Sequence, residues 1–140
     1  MASYNKFNAT VADLANKVHN FGSDTFKVML TNTAPTASNA VKADITEISA
    51  GNGYSAGGAS LTLTSSSQSG GTYKYIASAA TPTWTATGSV GPFRYVVLYN
   101  STAASGNLVG WWDYGSAVTL ASTNTFTVSL DGTNGVFQLA

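Results

Sequence analysis

PFRYVVLYNSTAASGNLVGWWDYGSAVTL, residues 92–120, is the stretch of sequence that decides the fold of this chain. It opens with a run of β-forming residues at positions 93–99. A strand places alternate side chains on opposite faces, so one face is expected to carry Phe93, Tyr95, Val97 and Tyr99, and the other Arg94, Val96 and Leu98. Because both faces are largely apolar, the pattern predicts a strand at the centre of its sheet.

The remainder of the stretch predicts a β-hairpin followed by one more strand. Residues 100–106, NSTAASG, are typical of a loop, because Asn, Ser and Gly tolerate the backbone angles of a reversal. Residues 108–112 return as a second strand that carries Trp111 and Trp112. Residues 113–116 are expected to turn the chain again before residues 117–120 continue.

Composition limits the possible classes of protein. The 140 residues suit one domain, and only 9% of them are charged, with six basic and six acidic side chains. An average soluble domain is roughly 25% charged. A neutral, charge-poor surface argues against nucleic acid as a partner, because phosphate binding needs clustered Lys and Arg. It opposes self-association less than a charged surface does.

Targeting signals and cysteines are missing from the sequence. The first residues, MASYNKFNAT, lack the basic and apolar regions of a secretory signal, and no apolar run reaches the roughly 18 residues of a membrane span. These features predict production in a cytoplasm and no membrane partner. Without cysteine, the chain has neither disulfides nor thiolate metal sites.

Residues 5–19 carry the one convincing helical pattern. Phe7, Val11, Leu14 and Val18 recur at spacings of four, three and four, which is the apolar stripe of an α-helix. We therefore expect a single-domain chain with an N-terminal helix or arm at residues 1–22 and a β-sandwich at residues 23–140. The helix either packs on the edge of its own sheet or docks its stripe on a neighbouring subunit.

Short alternating segments separated by Gly, Ser and Asn turns fill the rest of the chain. In residues 25–31, alternation directs Phe26, Val28 and Leu30 inward, and Lys27, Met29 and Thr31 outward. Further strands are expected at residues 59–64 with Leu61 and Leu63 inward, and at 72–77, 81–87, 124–130 and 136–139. Loops or turns are expected at residues 41–48, 51–58 and 65–71, and a hairpin turn is expected at 131–135. About eight short strands behind one helix predict an all-β fold, an antiparallel jelly-roll-like sandwich.

The ionisable residues do not form a recognisable catalytic pattern. His19 is the one histidine, and it stands at the end of the predicted helix without a nucleophile elbow to complete a triad. Asp44 and Glu47 would meet on one side of a helical turn, where solvation is the better interpretation. Asp131 and Asn134 fall short of a calcium shell and fit a turn. We expect no enzymatic activity, metal or cofactor.

Exposed aromatic side chains are the remaining candidates for binding. Trp111 and Trp112 are adjacent and must point to opposite faces of their strand, so one of them is available outside the core. An interface with another subunit is favoured over a sugar-binding site, because Trp and Tyr are enriched at protein interfaces. The interface candidates are Phe7, Val11, Trp111, Trp112 and Tyr114.

Six segments together carry a family resemblance: YNKFNATVADLANKVHN, DTFKVMLTNTAP, EISAGNGYSAGG, GPFRYVVLYN, GWWDYGSAVTL and DGTNGVF. In this order, over nearly the full length, the chain resembles small structural proteins of tailed bacteriophages. The resemblance implies a virion protein made in the host cytoplasm, most simply a decoration or cement protein on the capsid exterior. Its partners would be the major capsid protein and two further copies of itself in a homotrimer. The alternative is a tail component or receptor-binding module that recognises host glycans.

Overall fold

A computed structural model describes residues 2, 4–78 and 82–140 of the chain. Its secondary-structure elements, in chain order, are β1 Tyr4–Lys6, α1 Ala9–Ala15, β2 Phe26–Thr31, a 3-10 turn Lys42–Asp44, β3 Ala59–Ser60, β4 Leu63–Ser69, β5 Thr72–Ala77, β6 Thr83–Thr85, β7 Val90–Asn100, β8 Leu108–Leu120, β9 Thr125–Thr127 and β10 Phe137–Leu139. Within these residues, no helix is long and apolar enough to span a membrane.

The strands form antiparallel sheets around a five-stranded sheet with the order β1-β8-β7-β2-β3. A second sheet has the order β10-β5-β4, and β6 pairs with β9. The predicted all-β antiparallel sandwich with one helix is confirmed. The central position predicted for residues 93–99 is also confirmed, because β7 lies between β8 and β2 and the side chain of Val97 is completely buried.

Apolar side chains cover both faces of the five-stranded sheet. The main core lies between the sheets and includes Phe26, Val28, Leu30, Tyr75, Leu98 and Val109. A second core lies on the opposite face and consists of Phe7, Met29, Ile45, Val97, Tyr99 and Leu108, with Trp111 packed against it. The outward orientation predicted for Met29 and Thr31 therefore does not expose them, because the second core covers that face of β2.

A β-bulge changes the face on which Phe93 lies. The pairing of β7 with β8 shifts register between Phe93 and Tyr95, so the strict alternation expected along residues 93–99 is interrupted. Phe93 consequently lies in the main core with Val96 and Leu98, whereas Val97 and Tyr99 lie in the second core. The prediction of one shared face for Phe93 and Val97 is wrong for this reason.

The N-terminal helix is shorter than predicted. Within the predicted range of residues 5–19, the chain pairs β1 with β8 and forms the helix only over Ala9–Ala15. Thr10 occupies the buried side of α1, where its hydroxyl donates to the carbonyls of Leu108 and Val109. Lys17, with a positive φ of 61°, lies beyond the helix end. The predicted stripe is therefore not one helix face.

The return strand β8 continues through the turn expected at residues 113–116. Gly115 takes a φ of 98°, and its N–H donates to Asp113 at 2.8 Å, so the strand bends without ending. Residues 92–120 therefore form one long hairpin rather than a hairpin and an additional strand.

Several smaller expectations also need correction. The segment 65–71, expected as a loop, is mostly strand β4, and Leu63 at its start is 39% exposed instead of buried. The strand predicted at 124–130 is limited to β9, although Val128 and Leu130 are buried beyond it. The turn at 131–135 does not close a hairpin, because β10 pairs with β5. The first residue of the strand predicted at 81–87, Thr81, lies outside the described residues.

Candidate interaction surface

The five interface candidates occupy different environments in the folded chain. Phe7 is completely buried in the second core, where its ring lies 4.5 Å from that of Trp111. Trp111 and Trp112 point to opposite faces of β8, as their adjacency predicts. Both are half-buried and each packs against one of the two cores, so the expectation that one of them lies outside the core is wrong. Val11 is 55% exposed and Tyr114 is 56% exposed, so these two present the most open side chains of the five.

Trp112 lies beside Tyr4 on the edge of the five-stranded sheet. The two residues are directly paired between β1 and β8, and their rings meet edge to face at 5.4 Å. The Tyr4 ring also covers Gly110, where a Cβ atom would overlap it, so glycine is needed for this close approach. Burial of Tyr4 raises the pKa of its hydroxyl to about 12. The pair forms a fixed aromatic edge.

We call the depression beside this edge the aromatic groove. It has a volume of about 450 Å³, and its aromatic lining consists of Tyr4, Trp112, Tyr114 and Phe126. Tyr114 contacts Phe126 edge to face, with ring centroids 5.8 Å apart. Phe126 in turn contacts Phe93 of the main core at 4.8 Å. The groove is thus an opening of the main core at one side of the sandwich.

The floor of the aromatic groove is supplied by the segment that follows β9. Val128, Leu130 and Val136 are buried there, and the exposed Ser129 lies between them in the lining. Asp131 also lines the groove, but its carboxylate accepts the N–H groups of Thr133 and Asn134, both at 2.8 Å. These bonds hold the pKa of Asp131 below its usual range, so the carboxylate stays charged and serves the turn.

An ion pair beside the groove sets the position of Tyr114. Arg94 binds Asp113 with two hydrogen bonds, Nε to Oδ1 at 2.7 Å and an amino nitrogen to Oδ2 at 2.9 Å. The Arg94 contacts and the Gly115 N–H lower the pKa of Asp113. Because Asp113 precedes Tyr114 and anchors the bend after it, this pair supports the orientation in which Tyr114 reaches Phe126.

Asp44 and Glu47 do not share one solvent-exposed face of a helical turn, as the sequence had suggested. Asp44 accepts the N–H groups of Ala40 and Val41, which lower its pKa. Glu47 turns inward, where its Oε1 accepts the Tyr54 hydroxyl at 2.7 Å and the Gly57 N–H at 2.6 Å. Both acids therefore have structural partners in the 40–58 segment.

A second, shallow depression of about 490 Å³ lies over the loop that joins β7 to β8. Its lining is mostly Ala and Ser, with the ammonium of Lys42 held 3.7 Å from Glu47 and 5.5 Å from the Tyr99 ring centre. The cation is thus already paired. Of the two depressions, the aromatic groove has the greater content of side chains that drive association.

The sequence predicted two of the four aromatic side chains that line the groove. Trp112 and Tyr114 were among the candidates, whereas Tyr4 and Phe126 were missed. Tyr4 precedes the predicted helix and belongs to a three-residue strand that no periodicity reveals, and Phe126 fits an ordinary inward strand position. The pairing of β1 with β8 brings Tyr4 to Trp112, and the contact of Tyr114 with Phe126 completes the group of four rings.

Two further indicators of function are clusters of metal-ligating side chains and relationships to known proteins. In the described parts of the chain, no group of three or more His, Asp or Glu side chains is placed to hold a metal ion. His19 lies buried behind α1, away from the aromatic groove. Comparison of the chain with known protein families, with curated proteins and with solved structures finds no match.

Proposed function

We propose that this chain is a non-enzymatic structural protein of a tailed-bacteriophage virion, which binds the outer capsid shell as a homotrimer and stabilises it. The resemblance of its sequence segments to small virion proteins suggests the setting. The observation that carries the proposal is the aromatic groove, an open extension of the main core with the exposed Tyr114 at its rim.

The groove has the chemistry of a protein contact. Trp and Tyr combine a large apolar surface with one polar atom, which is why they are enriched at interfaces. Burial of apolar surface contributes roughly 25 cal/mol per Å², and a capsid lattice repeats the same contact many times. The zero net charge leaves this association unopposed by long-range repulsion.

The deciding experiment compares phage particles with and without the gene for this chain. For a cement protein, particles that lack it adsorb to cells normally but lose infectivity at a lower temperature. Cryo-electron microscopy of complete particles then places the protein on the capsid exterior. Normal heat resistance together with lost adsorption would exclude the cement function.

Two variants with matched exposure test the contact surface itself. Tyr114→Ser removes an aromatic ring at the groove, whereas Val11→Ser removes an equally exposed apolar group on α1. We expect Tyr114→Ser to reduce the occupancy of the protein on particles and Val11→Ser to leave it unchanged. The reverse result would move the contact from the aromatic groove to the helix.

The alternative function is a tail component or receptor-binding module for host glycans. Ser129, an exposed hydroxyl residue in the lining of the aromatic groove, favours it, because sugar sites combine flat apolar surfaces with hydrogen-bonding groups. In that case the deletion particles retain their heat resistance and fail to adsorb, and Tyr114→Ser weakens binding to cell-surface glycans.

A further inference from the structure

A polar cluster with two buried members, His19 and Asn100, joins the segment after α1 to the loop between β7 and β8. His19 is its centre, and its side chain is completely inaccessible to solvent. The other members are Asp13 on α1, Asp24 before β2, Asn100 at the end of β7 and Asn107 in the loop. The aromatic groove and the proposed function make no use of this cluster.

The amide of Asn100 can adopt only one orientation. Its Oδ1 accepts the N–H groups of Thr102 at 2.9 Å and Ala103 at 3.2 Å. Its Nδ2 donates one hydrogen to Asp24 Oδ2 at 2.7 Å, and its other hydrogen is shared between the Val18 carbonyl and His19 Nδ1, each 3.3 Å away. A flipped amide would place an oxygen against the Asp24 carboxylate and a donor against two N–H groups.

This orientation determines which nitrogen of His19 carries the proton. Asn100 Nδ2 lies 3.3 Å from His19 Nδ1, so a donor faces Nδ1, which must be the unprotonated acceptor. The neutral ring therefore has its hydrogen on Nε2. That nitrogen is buried without a hydrogen-bond partner, with the nearest carboxylate oxygen, Asp13 Oδ2, 3.7 Å away.

The surroundings of the ring contain opposing influences on its charge. The ring centres of Phe21 and Phe26 lie 5.6 Å and 6.1 Å from the centre of the imidazole ring. Asp13, Asp24 and the Leu108 carbonyl each favour the protonated ring, but burial outweighs them and lowers the pKa of His19. A proton on Nδ1 would also point at the amide hydrogens of Asn100, so the cluster cannot keep its hydrogen bonds when the ring is charged.

We propose that His19 is an acid-sensitive latch: when neutral it holds the segment between α1 and β2 against Asn100, and protonation of Nδ1 releases that segment. The direction of this pH dependence follows from the linkage between proton binding and closure. A histidine that prefers to be neutral in the closed state binds a proton more readily in the open state. Closure is therefore complete above the ordinary histidine pKa of about 6.5 and weakens as the pH falls below it.

Nuclear magnetic resonance of the imidazole nitrogens tests the latch directly, because the chain has one histidine. At neutral pH we expect the hydrogen on Nε2 and none on Nδ1, and a titration midpoint below about 6.5. A hydrogen on Nδ1, or a midpoint above that value, would overturn the proposal whatever the behaviour of any variant.

Amide hydrogen exchange provides the conformational readout. The Thr25 N–H, which donates to the Thr102 hydroxyl at 2.9 Å and so joins the segment to the loop, should lose protection with the same midpoint, while the Val97 N–H in β7 stays protected. In His19→Asn, which cannot titrate in this range but offers an oxygen to Asn100, the protection of Thr25 should not change with pH. An unchanged acid response in this variant, or loss of protection at Thr25 and Val97 together, would contradict a local latch.

Discussion

The ring of Phe7 lies 4.5 Å from the ring of Trp111 at an interplanar angle of 40°, and this contact closes the second core over β8. It also ties the N-terminal segment to its own sheet. Together with the pairing of β1 with β8, it packs residues 4–7 onto this sheet.

Phe7→Ser should therefore destabilise the isolated protein. Loss of a fully buried phenylalanine costs about 3 to 5 kcal/mol, because the cavity that remains is only partly refilled. Val11→Ser is the control, since Val11 is 55% exposed and surface changes alter stability by no more than about 0.5 kcal/mol. Chemical denaturation measures both values, and equal stabilities for the two variants would show that Phe7 leaves its core site in solution.

Val97→Asp should prevent folding. Val97 is completely buried at the centre of β7, and Asp there would place a carboxylate among the apolar side chains of Phe7, Met29 and Leu108. The matched control is Val11→Asp, the same substitution at an exposed position. We expect Val97→Asp to be insoluble or molten by circular dichroism and Val11→Asp to melt near wild type. A cooperative, wild-type-like transition for Val97→Asp would contradict the central position of this side chain.

Gly58→Ala and Gly70→Ala separate backbone strain from steric overlap. Both glycines have positive φ, 70° and 57°, so alanine is strained by about 1 to 2 kcal/mol at either site. A Cβ on Gly58 would additionally overlap the Val28 carbonyl oxygen in β2, whereas open space surrounds Gly70. The melting temperature should fall much further for Gly58→Ala, and similar losses for both would mean that the 51–58 loop moves aside.

Alkaline pH should unfold the protein through its tyrosines. Four of the seven tyrosines have a raised pKa, and burial is the main cause for each: Tyr4, Tyr54, Tyr75 and Tyr99. For Tyr4 and Tyr75 the pKa is about 12. A folded pKa above the unfolded value of about 10 means that stability is complete below pH 10 and is lost as the pH rises towards the folded value. Phenolate absorbance and circular dichroism should show these tyrosines ionising together with unfolding. Full ionisation of a folded chain near pH 10 would contradict their burial.

The protein should form a homotrimer, at least when bound to particles. An uncharged surface with an open aromatic groove favours contacts between copies, and closed symmetry satisfies them without growth into fibres. Light scattering across a range of concentrations measures the mass. A strict monomer at high concentration that also shows no three-fold arrangement on the virion would exclude this prediction.

Sequence periodicity was sufficient where each residue obeyed one local rule. The alternation in β2 and the two apolar faces around Val97 predicted a central antiparallel pairing, because period two is set by the geometry of a strand. The same rule failed at Phe93, since a bulge shifts the face without leaving a clear mark in the sequence. The prediction from composition failed at residues 113–116, because this glycine-containing segment looks like a turn but lies within β8.

The helical pattern at the N-terminus failed for a different reason. Phe7 has the right spacing from Val11 for a helix face, yet tertiary contacts override it: the strand pairing of β1 fixes the chain up to Lys6, and Phe7 enters the second core. The aromatic groove was predictable only in part, because the position of Phe126 depends on how β9 folds back. The sequence places His19 at the end of the predicted helix. No local pattern predicts its contact with Asn100, which lies 81 positions further along the chain.

The strand order has a consequence for how quickly the chain reaches this structure. The hairpin of β7 and β8 pairs neighbours in sequence, but β2 meets β7, β1 meets β8 and β5 meets β10 across long intervening segments. Each of these encounters closes a large loop before any contact compensates for the lost chain entropy. Folding rates fall as such non-local pairing increases, and domains of this topology take milliseconds to seconds. We therefore expect the long hairpin to form early and the N-terminal strand, which pairs with β8 across most of the chain, to join later.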